Sequence, residues 1–175
     1  LNVPSVNAAP LGPLGGTITK TITEDTLATF NTGDFGFTDP NDNPQNSLIA
    51  VRFMAVSGGA LTIGGNPVVL NTPISLTSIN NNLVRFVPAP HSTVSGTISF
   101  RVQDSGGTAD GGSDLDLSDN TLSVTINPLN DAPTGANVVR TIAEGGAVTF
   151  AQGDFGFNDD TDNPPPNDLL LAVKI

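Results

Sequence analysis

Cysteine, tryptophan and tyrosine are all missing from these 175 residues, and histidine occurs once. Without cysteine there are no disulfides, no thiolate metal sites and no thiol nucleophile. Small secreted domains often lean on disulfides, so a domain of this kind needs another staple. Without Trp or Tyr, the aromatic platforms that sugar sites favour are lacking. The lone histidine, His91, lies between Pro90 and Ser92 in a Pro-rich loop with no partner motif, and Ser92 has no nucleophile-elbow context. His91 therefore reads as plain surface, and no catalytic constellation is expected. Basic residues are also scarce: six Lys and Arg against seventeen Asp and Glu leave a formal net charge of -11. That balance disfavours nucleic acid and anionic membranes and leaves cations or basic partners as the natural attractors. No apolar run reaches membrane-spanning length. The chain starts at Leu1 with neither Met nor a signal peptide, which suggests an excerpt of a longer polypeptide.

What is abundant is a strand-and-turn vocabulary of Gly, Pro, Thr, Asn and Asp. The acids are almost all Asp, with Glu only at Glu24 and Glu144. Asp is the short carboxylate that suits turns and oxygen-rich metal loops.

An internal repeat organises the chain. Gly33-Asp34-Phe35-Gly36-Phe37 returns 120 positions later as Gly153-Asp154-Phe155-Gly156-Phe157, and Glu24 returns as Glu144. Asp39, Asp42, Asn43 and Pro44 reappear as Asp159, Asp162, Asn163 and Pro164, and Ala50-Val51-Arg52-Phe53 as Ala172-Val173-Lys174-Ile175. Val6-Asn7-Ala8-Ala9-Pro10 matches Leu129-Asn130-Asp131-Ala132-Pro133. These matches predict a preceding repeat's end and linker over 1–10, a complete repeat over 11–133, and the N-terminal part of a second over 134–175. The last part has too few strands to close a core, so further chain or a neighbouring subunit is expected to complete it.

Within the complete repeat, apolar residues alternate with period two. The sets Ile49, Val51, Phe53 and Ala55; Ile98, Phe100 and Val102; and Leu122, Val124 and Ile126 are each predicted to point inward. Weaker strands fit at 17–22, 27–31, 60–63, 68–70 and 83–87. Phe30, Phe53, Phe86, Phe100 and Phe150 read as core. Seven or eight short strands in about 120 residues predict an all-β fold, an immunoglobulin-like β-sandwich in tandem repeats, with a closed barrel as the alternative.

In such a sandwich, the loop after the second strand and the loop before the last share one end. The first, residues 34–47, carries Asp34, Asp39 and Asp42, and the second, residues 104–119, carries Asp104, Asp110, Asp114, Asp116 and Asp119; the linker around Asn7 lies there too. Glu24 and Asp25, with the linker residues Asn130 and Asp131, are placed at the opposite end, facing Asp154, Asp159, Asp160 and Asp162 of the next repeat. Two unit charges about 4 Å apart cost roughly 4 kcal/mol at an effective dielectric of 20, so converged carboxylates call for a cation. Hard oxygen donors on irregular loops point to calcium, with magnesium second and zinc disfavoured for want of its donors. The spacing does not match an EF-hand. Asp34 and Asp154 also suit turn geometry alone, and Asp110, Asp114, Asp116 and Asp119 also suit a solvated loop.

The linker Asn130-Asp131-Ala132-Pro133, the Glu24-Asp25-Thr26 turn, the Asp34-Phe35-Gly36-Phe37-Thr38-Asp39 run and the Arg101-Val102-Gln103-Asp104-Ser105-Gly106-Gly107 stretch resemble the bacterial cadherin-like tandem repeats of large surface adhesins and type-I-secreted repeat proteins. The resemblance spans the chain and implies an extracellular, calcium-stiffened rod, with ligands from one repeat's end, the linker and the next repeat. The partners implied are neighbouring repeats or identical subunits, including by strand exchange, and a cell-surface or matrix ligand. A calcium-dependent carbohydrate- or protein-binding adhesion module is the alternative. Two positions depart from the pattern: Ala8 stands where the second linker has Asp131, and Gly145 where the first repeat has Asp25.

Overall fold

The computed structural model describes residues 6–13, 17–159 and 168–174. The chain is all-β in character, with two sheets and little helix. The strands are β1 (Ile18–Thr23), β2 (Ala28–Thr29), β3 (Leu48–Ser57), β4 (Gly59–Ile63), β5 (Asn66–Pro67), β6 (Pro73–Ser75), β7 (Val84–Pro88), β8 (Gly96–Asp104) and β9 (Asn120–Asn127), with one short helix α1 (Leu76–Asn80). One sheet runs β1-β9-β8-β3-β6 and the other β2-β7-β4-β5.

β8 shows why these residues become strands. Ile98, Phe100 and Val102 are fully buried while Thr97, Ser99, Arg101 and Gln103 face the other way, so one face is apolar and the other polar. β8 pairs antiparallel with β3, placing Val51 opposite Val102 and Phe53 opposite Phe100, and antiparallel with β9, placing Ile98 opposite Leu122. β1 then adds to β9 in parallel, with Ile22 beside Ile126. Both sheets feed one core in which Phe35 contacts Phe30, Phe53 and Phe100 at ring-centroid distances of 6.3, 6.0 and 5.1 Å. Phe86, from the second sheet, lies over Gly59 and Gly96, where any added Cβ would collide with its ring.

Several expectations are corrected. Ile49 is 46% exposed and Ala55 also faces solvent, while Ala50 is buried beside Val51. Register shifts at Leu48/Ala50 and Phe53/Ala55 break the simple alternation of β3. A strand at 68–70 is not formed; β5 lies just before it and the chain then turns into β6 and α1. Phe150 is 53% exposed, and its ring lies 5.9 Å from that of Phe155.

Downstream of residue 133 the described residues form no extended ladder, but they repeat local devices of the first unit. Leu11 bridges Thr38, and Thr134 bridges Asn158. Short 3-10 turns at Thr32–Phe35 and Gln152–Phe155 each end on a left-handed glycine, Gly36 and Gly156. Lys20 pairs with Asp34, and Arg140 with Asp154. In β3, Ala50 and Val51 pair with β6 and β8, whereas around Val173 no such partner is described, and Leu169 and Leu171 are 86% and 98% exposed.

Candidate metal centres

The register of β8 places two acidic groups at opposite ends of the larger sheet. Asp104 is its last residue and meets the start of β3 at Leu48, while Gly96 at its start pairs with Val124 near the end of β9. At about 3.4 Å per residue, those ends lie roughly 27 Å apart.

The first group forms where the inward phase of β8 runs out. After Ile98, Phe100 and Val102 the next inward position is Asp104, which is fully buried. The loop leaving the 3-10 turn is stapled to the incoming chain by Leu11 and Thr38, whose N–H groups each donate to the other's carbonyl at 2.9 Å. That brings Asp39 and Asp42, 2% and 8% exposed, against Asp104, with one carboxylate oxygen of each within 4.8 Å of the others.

Hydrogen bonds account for only part of this cluster. Asn46 donates its backbone N–H to Asp39 Oδ2 at 2.6 Å and its amide to Asp42 Oδ2 at 3.1 Å. Ala8 N–H donates to both Asp42 oxygens, at 3.2 and 3.1 Å. Asp104 Oδ1 accepts from Asn7 Nδ2 at 3.1 Å and from Gly106 N–H at 2.8 Å. Among the described residues, Asp39 Oδ1 and Asp104 Oδ2 are buried with no hydrogen-bond partner. Burial, followed by weaker effects that include the neighbouring Asp39, raises the Asp104 pKa above the ordinary carboxylate value, although the bonds from Gly106 and Asn7 oppose the shift. Lys20, Arg101 and Arg140 are paired elsewhere, with Asp34, Asp119 and Asp154. A polar cavity of about 230 Å³ adjoins the cluster, lined by Asn7, Asp42, Asn43, Asn46 and Asp110 among others.

The second group joins Asp25 from the β1–β2 turn, His91 from the β7–β8 loop and Asp131 from the segment after β9. His91 Nδ1 lies 2.8 Å from Asp131 Oδ2 and 3.3 Å from Asp25 Oδ2, and the His91 N–H donates to Asp25 Oδ1 at 2.9 Å. The hydrogen bond to Asp131, then the charges of Asp25 and Asp131, raise the His91 pKa. Beside them Glu24 is 1% exposed; its Oε1 accepts from Leu129 N–H at 2.6 Å and its Oε2 has no hydrogen-bond partner among the described residues.

Asp34 joins neither group: it accepts from Asn31 N–H and pairs with Lys20, both at 2.8 Å, so it caps the 3-10 turn. The exposed Asn130 donates its amide to the Asp131 carbonyl at 2.8 Å. Asp159 is 3% exposed and accepts from Asp168 N–H at 3.0 Å, much as Asp39 accepts from Asn46. Among the described residues neither group includes Asp154 or Asp159. Asp160 and Asp162 lie outside the described residues.

Sequence reasoning missed Asn46, whose role depends on loop shape alone, and it read His91 as bare surface. The signal for His91 was available, because the loop before β8 lies at the same end as the Glu24-Asp25 turn. Asp116, weighed as a loop acid, is instead 2% exposed and holds Gly12 N–H, Ser118 N–H and the Asn120 amide at 2.9, 3.0 and 2.7 Å.

No known family model matches the chain, and no curated protein matches it.

Proposed function

We propose that the chain is a structural, non-catalytic module of an extracellular tandem-repeat protein, whose immunoglobulin- or cadherin-like repeat is locked to its linker by calcium at Asp39, Asp42 and Asp104. In this reading residues 11–133 are a complete repeat and 134–175 begin the next. The recurring bridges, turns and ion pairs downstream of residue 133 support that division.

One observation carries the calcium reading. Three buried carboxylates converge with two oxygens left without donors, in a cluster that also holds the linker through Asn7 and Ala8. An uncompensated buried acceptor costs roughly 1–3 kcal/mol and more when charged, so the arrangement is unfavourable until a cation fills it. Carboxylate and amide oxygens on irregular loops suit the flexible six-to-eight coordination of calcium. An ion there would join β8, the 36–47 loop and the linker, converting a flexible connection into a stiff one. No described helix is long and apolar enough to cross a membrane.

Amide hydrogen exchange tests the lock. Calcium should slow exchange of the Ala8 and Asn46 amides, and Asp39→Asn should abolish that protection; exchange indifferent to calcium would remove the linker lock. The polar cavity beside the cluster supports a second reading, calcium-dependent capture of a carbohydrate or protein ligand, which a glycan array with and without calcium would detect.

A further inference from the structure

We propose that Asp25, His91 and Asp131 form a second metal site, of mixed nitrogen and oxygen character, that takes a divalent transition ion of the zinc class in preference to calcium.

The donor set differs in kind from the first cluster. Imidazole nitrogen suits zinc, nickel and copper, whereas calcium takes oxygen almost alone. The spacing also fits. Metal–ligand bonds of about 2.0–2.1 Å in a tetrahedron put neighbouring donor atoms about 3.3 Å apart; His91 Nδ1 lies 3.3 Å from Asp25 Oδ2, and its 2.8 Å to Asp131 Oδ2 is a hydrogen bond that an ion would replace by opening the pair about 0.5 Å. The backbone bond from His91 to Asp25 Oδ1 fixes that carboxylate and leaves its other oxygen facing the imidazole. All three side chains keep solvent access, at 45%, 39% and 22%, so an ion can enter.

Glu24 is an independent observation pointing the same way. Its carboxylate is 1% exposed, one oxygen is held by Leu129 N–H, and the other is buried without a partner. Its negative charge acts on the His91 ring. A buried acid with an unsatisfied oxygen, one residue before Asp25, supplies negative charge that helps the His-Asp-Asp group retain a cation. The two centres are roughly 27 Å apart by strand rise, beyond the Debye length of about 8 Å, so they should load independently.

The test uses the full chain without an affinity tag, in about 1 mM calcium, a concentration that suits weak extracellular sites. Because His91 is the single histidine, its imidazole gives one set of ¹H–¹⁵N resonances that reports directly on zinc. Zinc should shift the Nδ1 resonance, and cobalt should give the visible absorption of a low-symmetry site. His91→Asn retains a residue that tolerates the left-handed backbone at this position (φ 51). It should weaken zinc binding by roughly 10–100-fold, the loss seen when even a supporting residue of a metal site is removed. Asp131→Asn should do the same, while Asp39→Asn abolishes calcium binding and leaves the zinc response intact. An unmoved imidazole resonance in the wild-type chain, or equal zinc affinity in wild type and folded His91→Asn, would overturn the site. A zinc response fully displaced by calcium would overturn its selectivity.

Discussion

Asp104→Asn should change stability in opposite directions with and without calcium. In chelator, Asp104 sits among like charges whose oxygens lie within 4.8 Å. Two unit charges 4.8 Å apart cost about 3.5 kcal/mol at an effective dielectric of 20, and closer ones more. The donors from Asn7, Gly106, Asn46 and Ala8 offset part of that repulsion. An isosteric amide removes one charge, keeps an acceptor for Asn7 and Gly106, and places a donor where Asp104 Oδ2 is orphaned. A net gain of about 1–3 kcal/mol in chelator follows, or a Tm rise of roughly 4–12 °C for a domain of this size. In calcium the balance reverses. Free calcium at about 100 times Kd stabilises the wild type by about 2.7 kcal/mol, and the variant should lose most of that. Differential scanning calorimetry of both proteins in both buffers measures all four values. If Asp104→Asn lowers Tm by the same amount in calcium and in chelator, the carboxylates are not held apart from their preferred state by repulsion, and the reasoning fails.

Other consequences can be measured separately. The folded-state pKa of Asp104 is raised, chiefly by burial. Its contribution to stability is therefore present below the unfolded value and lost as pH rises through the folded value. Chelated wild type should thus melt higher in mild acid relative to Asp104→Asn, while calcium affinity falls over the same pH range; parallel melts of the two proteins would refute this. Asp116→Ala should cost about 2–3 kcal/mol by stranding buried donors, equally with and without calcium, because Asp116 bonds Gly12 and Asn120 and lies outside both clusters. Phe35→Ala should cost about 3–5 kcal/mol in urea unfolding, since its ring is fully buried among three other phenylalanines.

The parts of the fold that the sequence made legible are those governed by one local rule. β8 and β9 alternate strictly, and each residue expected inside is inside. β3 carries a similar alternation, but its two register shifts turn Ile49 and Ala55 outward, and nothing in composition marks a bulge. β6 begins at Pro73 and runs straight into α1, a short edge pairing that only its position beside β3 allows. Phe150 was read as core because its neighbours alternate, yet burial needs an opposing sheet, and none is described over residues 134–174.

The acidic sites follow the same division. Topology alone brought Asp39, Asp42 and Asp104 to one end, and the inward phase of β8 explains why Asp104 is the buried member. Asp34, in the same loop and equally acidic, is diverted to Lys20 and Asn31 because it occupies the first turn of a 3-10 segment. Side-chain amides such as Asn46 have no pattern in the sequence that separates a buried donor from a turn residue. His91 was overlooked for a different reason. A lone histidine in a Pro-rich loop carries no partner motif of its own, although the loop that holds it closes over the same end as Asp25.

Anomalous diffraction from crystals grown with calcium addresses the central claim most directly. The account predicts an ion coordinated by carboxylate oxygens of Asp39, Asp42 and Asp104, with Asn7 and Ala8 of the linker held against it. Those three side chains rotated apart into solvent, with no anomalous peak between them at saturating calcium, would contradict it.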